Sequence, residues 1–205
     1  MELNARTPNS GMQSIFLSGL SAPKFEPESP QAALPLPSRS VLVAIDPQVK
    51  NYDVLLTGVH PGARVAVLAP DRDGIEQITA LLKFLPSSRH LHVLCHGSPG
   101  CLNLGSTQLN LAILEQYETV LRSWFSSRAN PALVIYGSRV AAGAAGAKLT
   151  AALHRVTGAS VMASSLSVGH TSLGGCWEFD VVLGEPVPLA IAPSAQMAYD
   201  GLLSF

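Results

Sequence analysis

The chain has 205 residues, of which 47% are hydrophobic and 13% charged, with a formal net charge of −1. That balance suits one globular domain with a sizeable core, and the absence of a basic stripe argues against nucleic acid as a partner. No run approaches the ~20 apolar residues needed to cross a bilayer, and three cysteines (Cys95, Cys101, Cys176) are too few and too uneven in number for a disulfide framework.

The first thirty-nine residues differ from the rest. PKFEPESPQAALPLPSRS places five prolines between Pro23 and Pro37, which removes backbone donors and helical dihedrals, so residues 1–39 are expected to be a flexible proline-rich arm. Its apolar patch IFLSGL (15–20) offers Ile15, Phe16 and Leu17 for docking on another copy of the chain. A basic start followed by a long apolar segment is missing. Cysteine usage therefore points to a reducing, cytoplasmic setting or to export without a classical signal peptide.

From Ser40 onward, in residues 40–205, strand-like and helix-like segments alternate. VLVAID (41–46), RVAVLA (64–69), HLHVLC (90–95), ALVIYG (132–137) and SVMAS (160–164) are short apolar or β-branched runs that read as strands. Between the second and third, Ile75, Ile78, Leu81, Leu82 and Leu85 recur at helical spacing, with Asp73 and Glu76 placed as a capping box. A second helix is expected over about 111–125, with Leu114, Tyr117, Leu121, Trp124 and Phe125 on one face, and a third over about 142–156, stopped by Gly158. TSLGGCWEFDVVLGEPVPLAI (171–191) reads as a hairpin with Trp177 and Phe179 on the same side, and APSAQMAYDGLLSF (192–205) as a short helix opening at Pro193.

This alternation predicts an α/β fold: a mainly parallel sheet with helices on both faces, a three-layer sandwich. Functional groups in such sheets collect beyond the carboxy ends of the strands, which selects Asp46, Cys95-His96-Gly97 and Gly137-Ser138. A histidine followed by glycine can be presented as a general base, and a hydroxyl at the next strand end makes a His96–Ser138 dyad the candidate site. Competing chemistries are weaker. Cys95 and His96 are consecutive and point to opposite sides of an extended chain, so no metal site is expected. Ser138 lies between Tyr136 and Val140 rather than in G-x-S-x-G, and no phosphate loop occurs, so no cofactor is implied. Asp46 and Asp180 could line a pocket as acids, although capping or turn roles are commoner for such residues.

The motifs HVLCHGSPGCLNLGS (92–106), LVIYGSRVAAGAAG (133–146), GGCWEF (174–179) and PLAIAPSAQMAYDGLL (188–203), in that order, resemble the domain of unknown function numbered 4347. That family is usually found near the amino end of large bacterial surface or secreted proteins with calcium-binding or cadherin-like repeats. It is itself similar to the caspase-like (clan CD) peptidase fold, in which a His-Gly after one strand and a cysteine after the next form a dyad. The resemblance implies that His96 is the histidine, and that Ser138 stands where the family pattern has Tyr-Gly-Cys. A serine hydroxyl must be deprotonated during attack by a closely bonded base, whereas a thiolate tolerates a looser one. The expectation is therefore a catalytically inactive caspase-like domain that binds protein or assembles with itself. The alternative is a cysteine- or serine-type peptidase, or a self-processing domain, using His96 and position 138.

Overall fold

The computed structural model describes residues 40–204; the arm expected over 1–39 lies outside the described residues. In chain order the elements are β1 (Val41–Ile45), α1 (Tyr52–Leu56), β2 (Arg64–Val67), α2 (Gly74–Phe84), β3 (His90–Leu94), β4 (Gly97–Ser98), β5 (Cys101–Leu104), β6 (Thr107–Asn110), α3 (Leu111–Leu114), α4 (Glu118–Ser123), β7 (Ala132–Ile135), α5 (Gly143–Thr157), β8 (Ser160–Ala163), β9 (Val181–Leu183) and α6 (Pro193–Ala198). The main sheet runs β2-β1-β3-β7-β8-β9. Its first five strands are parallel and are the five apolar runs of the sequence, while β9 is antiparallel to β8.

Period-two alternation divides each strand between two cores. Leu42, Ala44, Leu91, Val93, Leu133 and Ile135 face a layer formed by α2, α4 and α5, through Ile75, Ile78, Leu82, Leu121, Leu149 and Leu153. Val43, Ile45, Leu94, Val134 and Tyr136 face the other way, onto Leu55 of α1, Ala195 of α6 and the neighbouring Tyr199 and Leu203. The result is a three-layer α/β sandwich. Its central strands are apolar on both faces because both faces are covered.

Local signals account for the long helices. The Asp73 side chain accepts from the Glu76 amide at 3.0 Å, capping α2. Helix α5 ends at Gly158, whose φ of 68° lies in the left-handed region that glycine enters without a Cβ penalty. The segment expected as one helix over 111–125 is interrupted by a 3-10 turn at Glu115–Tyr117, where Tyr117 leaves helical dihedrals (φ −102°, ψ 3°) and its hydroxyl donates to Asp73.

The hairpin expected over 171–191 is replaced by a single strand, β9. Its backbone finds partners on the free edge of β8, which supplies the pairing a second hairpin strand would have given. Trp177 and Phe179 do share a side, and both meet the ring of Tyr136 edge-on, at centroid distances of 6.3 and 4.9 Å. A three-stranded antiparallel sheet, β4-β5-β6, and the short helix α1 had no periodic signal long enough to predict them.

At the centre of the sheet, His92 is fully buried, with Nδ1 3.1 Å from the Tyr136 hydroxyl, which in turn accepts from the Ala190 amide at 3.1 Å. Burial, aided by the charge of His90, lowers its pKa from 6.5 to about 3, so the imidazole is neutral in the folded chain. As pH falls below about 6.5 the unfolded chain takes up a proton that the folded chain refuses. The stability conferred by neutral burial is therefore complete above that pH and is lost between about 6.5 and 3. Thermal or urea unfolding between pH 7 and 4.5 should show stability falling on acidification. In His92→Gln the slope should be shallower by up to one proton per molecule, about 1.4 kcal/mol per pH unit.

Candidate functional site

The pairing of β3 with β7 sets the site. His90, Leu91, His92 and Val93 pair with Ala132, Leu133, Val134 and Ile135, a constant offset of 42 residues. The same offset relates Leu94 to Tyr136 and His96 to Ser138. The two positions singled out in the sequence therefore follow adjacent parallel strands, His96 just past the end of β3 and Ser138 just past the end of β7.

Beyond the strand ends the backbones meet. A Cβ placed on Gly97 would lie 2.5 Å from Val140 Cγ2, 2.8 Å from the Gly137 carbonyl carbon and 2.8 Å from the Ser138 carbonyl oxygen. Two of those contacts are backbone, so the glycine is required by close approach of two chains.

Both strand ends then turn their amides on one atom. Gly97 N–H donates to the Leu203 carbonyl oxygen at 3.1 Å, and Ser138 N–H donates to the same oxygen at 2.8 Å. The Leu203 amide donates to the Val168 carbonyl at 2.8 Å. Residue 203 is thus held at a bend between the two strand ends on one side and the 166–170 segment on the other, with flanking bridges Gly97–Ser204 and Gly169–Leu202. Its side chain is fully buried in the core shared with Tyr136, Val168, Trp177 and Tyr199.

Ser138 is itself fully buried, and its hydroxyl is committed to the same segment. Oγ donates to the Val168 carbonyl at 3.2 Å and accepts from the Val168 amide at 2.9 Å. A hydroxyl has one proton, and here that proton is directed to a backbone carbonyl.

His96 is half-buried. Burial lowers its pKa from the ordinary value; the Asp46 carboxylate opposes the shift and the charge of Lys50 adds to it, leaving the ring neutral at pH 7. A neutral imidazole is the form a general base needs.

The other strand-end groups have structural partners. Asp46, fully buried, accepts from the Gly105 amide at 2.6 Å and the Gln48 amide at 2.9 Å, tying β1 to the β5–β6 turn. Cys95 points into the opposite core, and burial, with the charges of Asp46 and Cys101 adding, pushes its thiol far above the ordinary range; such a thiol is a poor nucleophile. Asp180 accepts from the Ser165 amide at 2.7 Å, pinning the turn after β8. Among the described residues no group of three His, Cys, Asp or Glu is placed to hold a metal ion, and no helix is long and apolar enough to cross a membrane.

Val168 and Leu203 are the site residues the sequence did not reveal. Each acts through main-chain hydrogen bonds outside the regular strands, which leaves no periodicity and selects no side-chain chemistry.

The covered parallel sheet, whose central strands are followed by His-Gly and Gly-Ser with main-chain amides joined to one carbonyl, is that of a three-layer α/β domain. The chain belongs to the family described as domain of unknown function (DUF4347), whose model matches residues 42–203. No curated protein and no solved structure matches the chain.

The close approach at Gly97 has a measurable cost if disturbed. Gly97→Ala should lower unfolding stability by ~1–3 kcal/mol, the usual cost of overpacking, read from the urea midpoint. Gly143→Ala provides the contrast, because no heavy atom lies within 4 Å of its Cβ position and only its positive φ of 62° penalises the change.

Proposed function

We propose that the domain is a catalytically silent member of the caspase-like class that holds polypeptide instead of cutting it, as a binding or self-assembly module. The observation that carries this reading is the Ser138 hydroxyl, which is fully buried and bonded in both directions to the main chain of Val168. To attack a carbonyl it would have to break both bonds, turn its proton to a base and come into contact with substrate. A loss of ~4 kcal/mol of transition-state stabilisation already slows a reaction about a thousandfold.

The partner is protein: another polypeptide, or a second copy of the chain recruited through residues 15–17 of the proline-rich arm. The competing reading, a peptidase or self-processing domain, draws on the neutral His96 and on two amides placed as donors to one carbonyl oxygen, an arrangement that can stabilise a developing oxyanion.

Ser138→Ala separates the two. If the hydroxyl is structural, the variant leaves the Val168 amide without its partner and should be less stable by ~1–3 kcal/mol. Neither it nor the parent chain should react with a serine- or cysteine-directed covalent probe or cleave a peptide library. Labelling of the parent that disappears in both Ser138→Ala and His96→Ala would establish the peptidase reading instead. Sedimentation of the chain with and without residues 1–39 tests self-assembly: a strictly monomeric protein at every concentration in both forms removes it.

A further inference from the structure

The amino ends of the central strands form a second polar centre, at the opposite end of the sheet from His96 and Ser138. A cavity of about 450 Å³ opens there, bounded by the starts of β3 and β8, the residue before β7 and the end of α5. That volume lies in the range of small-molecule sites. Open α/β sheets usually bind ligands at the carboxy ends of their strands, so this cavity has to be judged on its own side chains.

Two of those side chains bring buried nitrogens that the protein does not satisfy. His90 lines the cavity and is 6% exposed, and its Nδ1 has no hydrogen-bond partner. Arg89, beside it in the same wall, has a buried Nε that is also without a partner. Such groups are rare in folded chains, because each carries the desolvation cost of a polar atom with no bond in return.

The other lining groups narrow what could bind. Burial, with the charge of Arg89 adding, holds the His90 imidazole below its ordinary pKa, so that ring is neutral at pH 7. Arg89 supplies the permanent cation, and among the described residues no carboxylate lies within ion-pair distance of it. Its planar fork of donors matches a carboxylate. The Ser160 hydroxyl accepts from the Glu185 amide at 2.9 Å, which leaves its own proton to donate. Pro131, Pro186 and Val187 add apolar surface for a carbon body. Glu185 is the carboxylate among the lining residues, and it repels a doubly charged phosphate more strongly than a single negative charge.

We propose that this cavity is a binding site for a small organic carboxylate, held by the Arg89 guanidinium and the Ser160 hydroxyl beside the His90 ring, with its carbon body against Pro131, Pro186 and Val187. The site shares no residue with the His96–Ser138 end of the sheet, and it stands whether or not the domain is catalytically silent.

Amide NMR of the full chain at pH 7, with detection of the histidine ring nitrogens, tests this with two pairs of probes that differ in charge: isovalerate against isovaleramide, and benzoate against benzamide. At least one carboxylate should shift the Arg89, His90 and Ser160 amides and the His90 ring nitrogens, saturating by ~20 mM, as befits molecules of this size. It should bind at least ~tenfold more tightly than its amide, the usual effect of losing a hydrogen bond between charged groups. In Arg89→Gln that preference should vanish.

If neither carboxylate outbinds its amide at these residues, the proposal is overturned in the parent chain alone, so the outcome is decisive even if Arg89→Gln fails to fold. A preference for carboxylate that survives in a folded Arg89→Gln protein also overturns it. Tighter binding of inorganic phosphate than of either carboxylate at the same residues overturns the assignment of a singly charged ligand.

Discussion

The parallel pairing of β3 with β7 is the constraint on which the rest of the molecule depends. Its offset of 42 residues brings the end of HLHVL level with the end of ALVI, and from there each chain has only a few bonds in which to turn. Gly97 lets the two turns touch, because any side chain would meet the Gly137–Ser138 backbone. Once they touch, their amides face the same point in space, and a buried amide must find an acceptor. Leu203 supplies it. A dipole pair at a sheet end, an inserted carbonyl and a segment drawn across the face of the fold thus follow from one strand register.

The same accounting explains why the polar groups around this point are structural partners of the main chain. Asp46 would be costly if buried alone, and its oxygens accept the Gly105 and Gln48 amides. Ser138 would leave a buried hydroxyl, and it closes on Val168. The Tyr136 hydroxyl lies between His92 and the Ala190 amide. Each of these joins a strand or strand end to a loop distant in sequence. Polar chemistry at the end of this sheet therefore acts as stitching, and His96, half-buried with its pKa lowered by burial, stands beside it.

Much of this was legible in the sequence. Four of the five parallel strands, β1, β3, β7 and β8, announced themselves because burial on both faces demands uninterrupted apolar runs, the exposed edge strand β2 by its β-branched run, and α2 and α5 because Asp73 and Gly158 mark their ends with unambiguous chemistry. That His96 and Ser138 follow neighbouring strands could be anticipated from the strand ends alone. What could not be read was anything carried by main-chain atoms at long separation: the hydrogen bonds of Leu203, the Val168 contacts, and the pairing of Val181–Leu183 with β8 in preference to a neighbour. Nor could the interruption at Tyr117, since the apolar spacing of Leu114, Leu121 and Phe125 runs through it unbroken while the hydroxyl is pulled toward Asp73.

The position of Leu203 in the chain has a temporal meaning. Every group that receives it, Gly97, Ser138 and Val168, is synthesised earlier, and joining residue 203 to residue 97 closes a long loop whose entropy opposes early formation. The shorter connections within the sheet cost less entropy to close, so the seating of Leu203, together with Tyr199 and α6 just before it, draws its stability from a sheet that local contacts have already favoured.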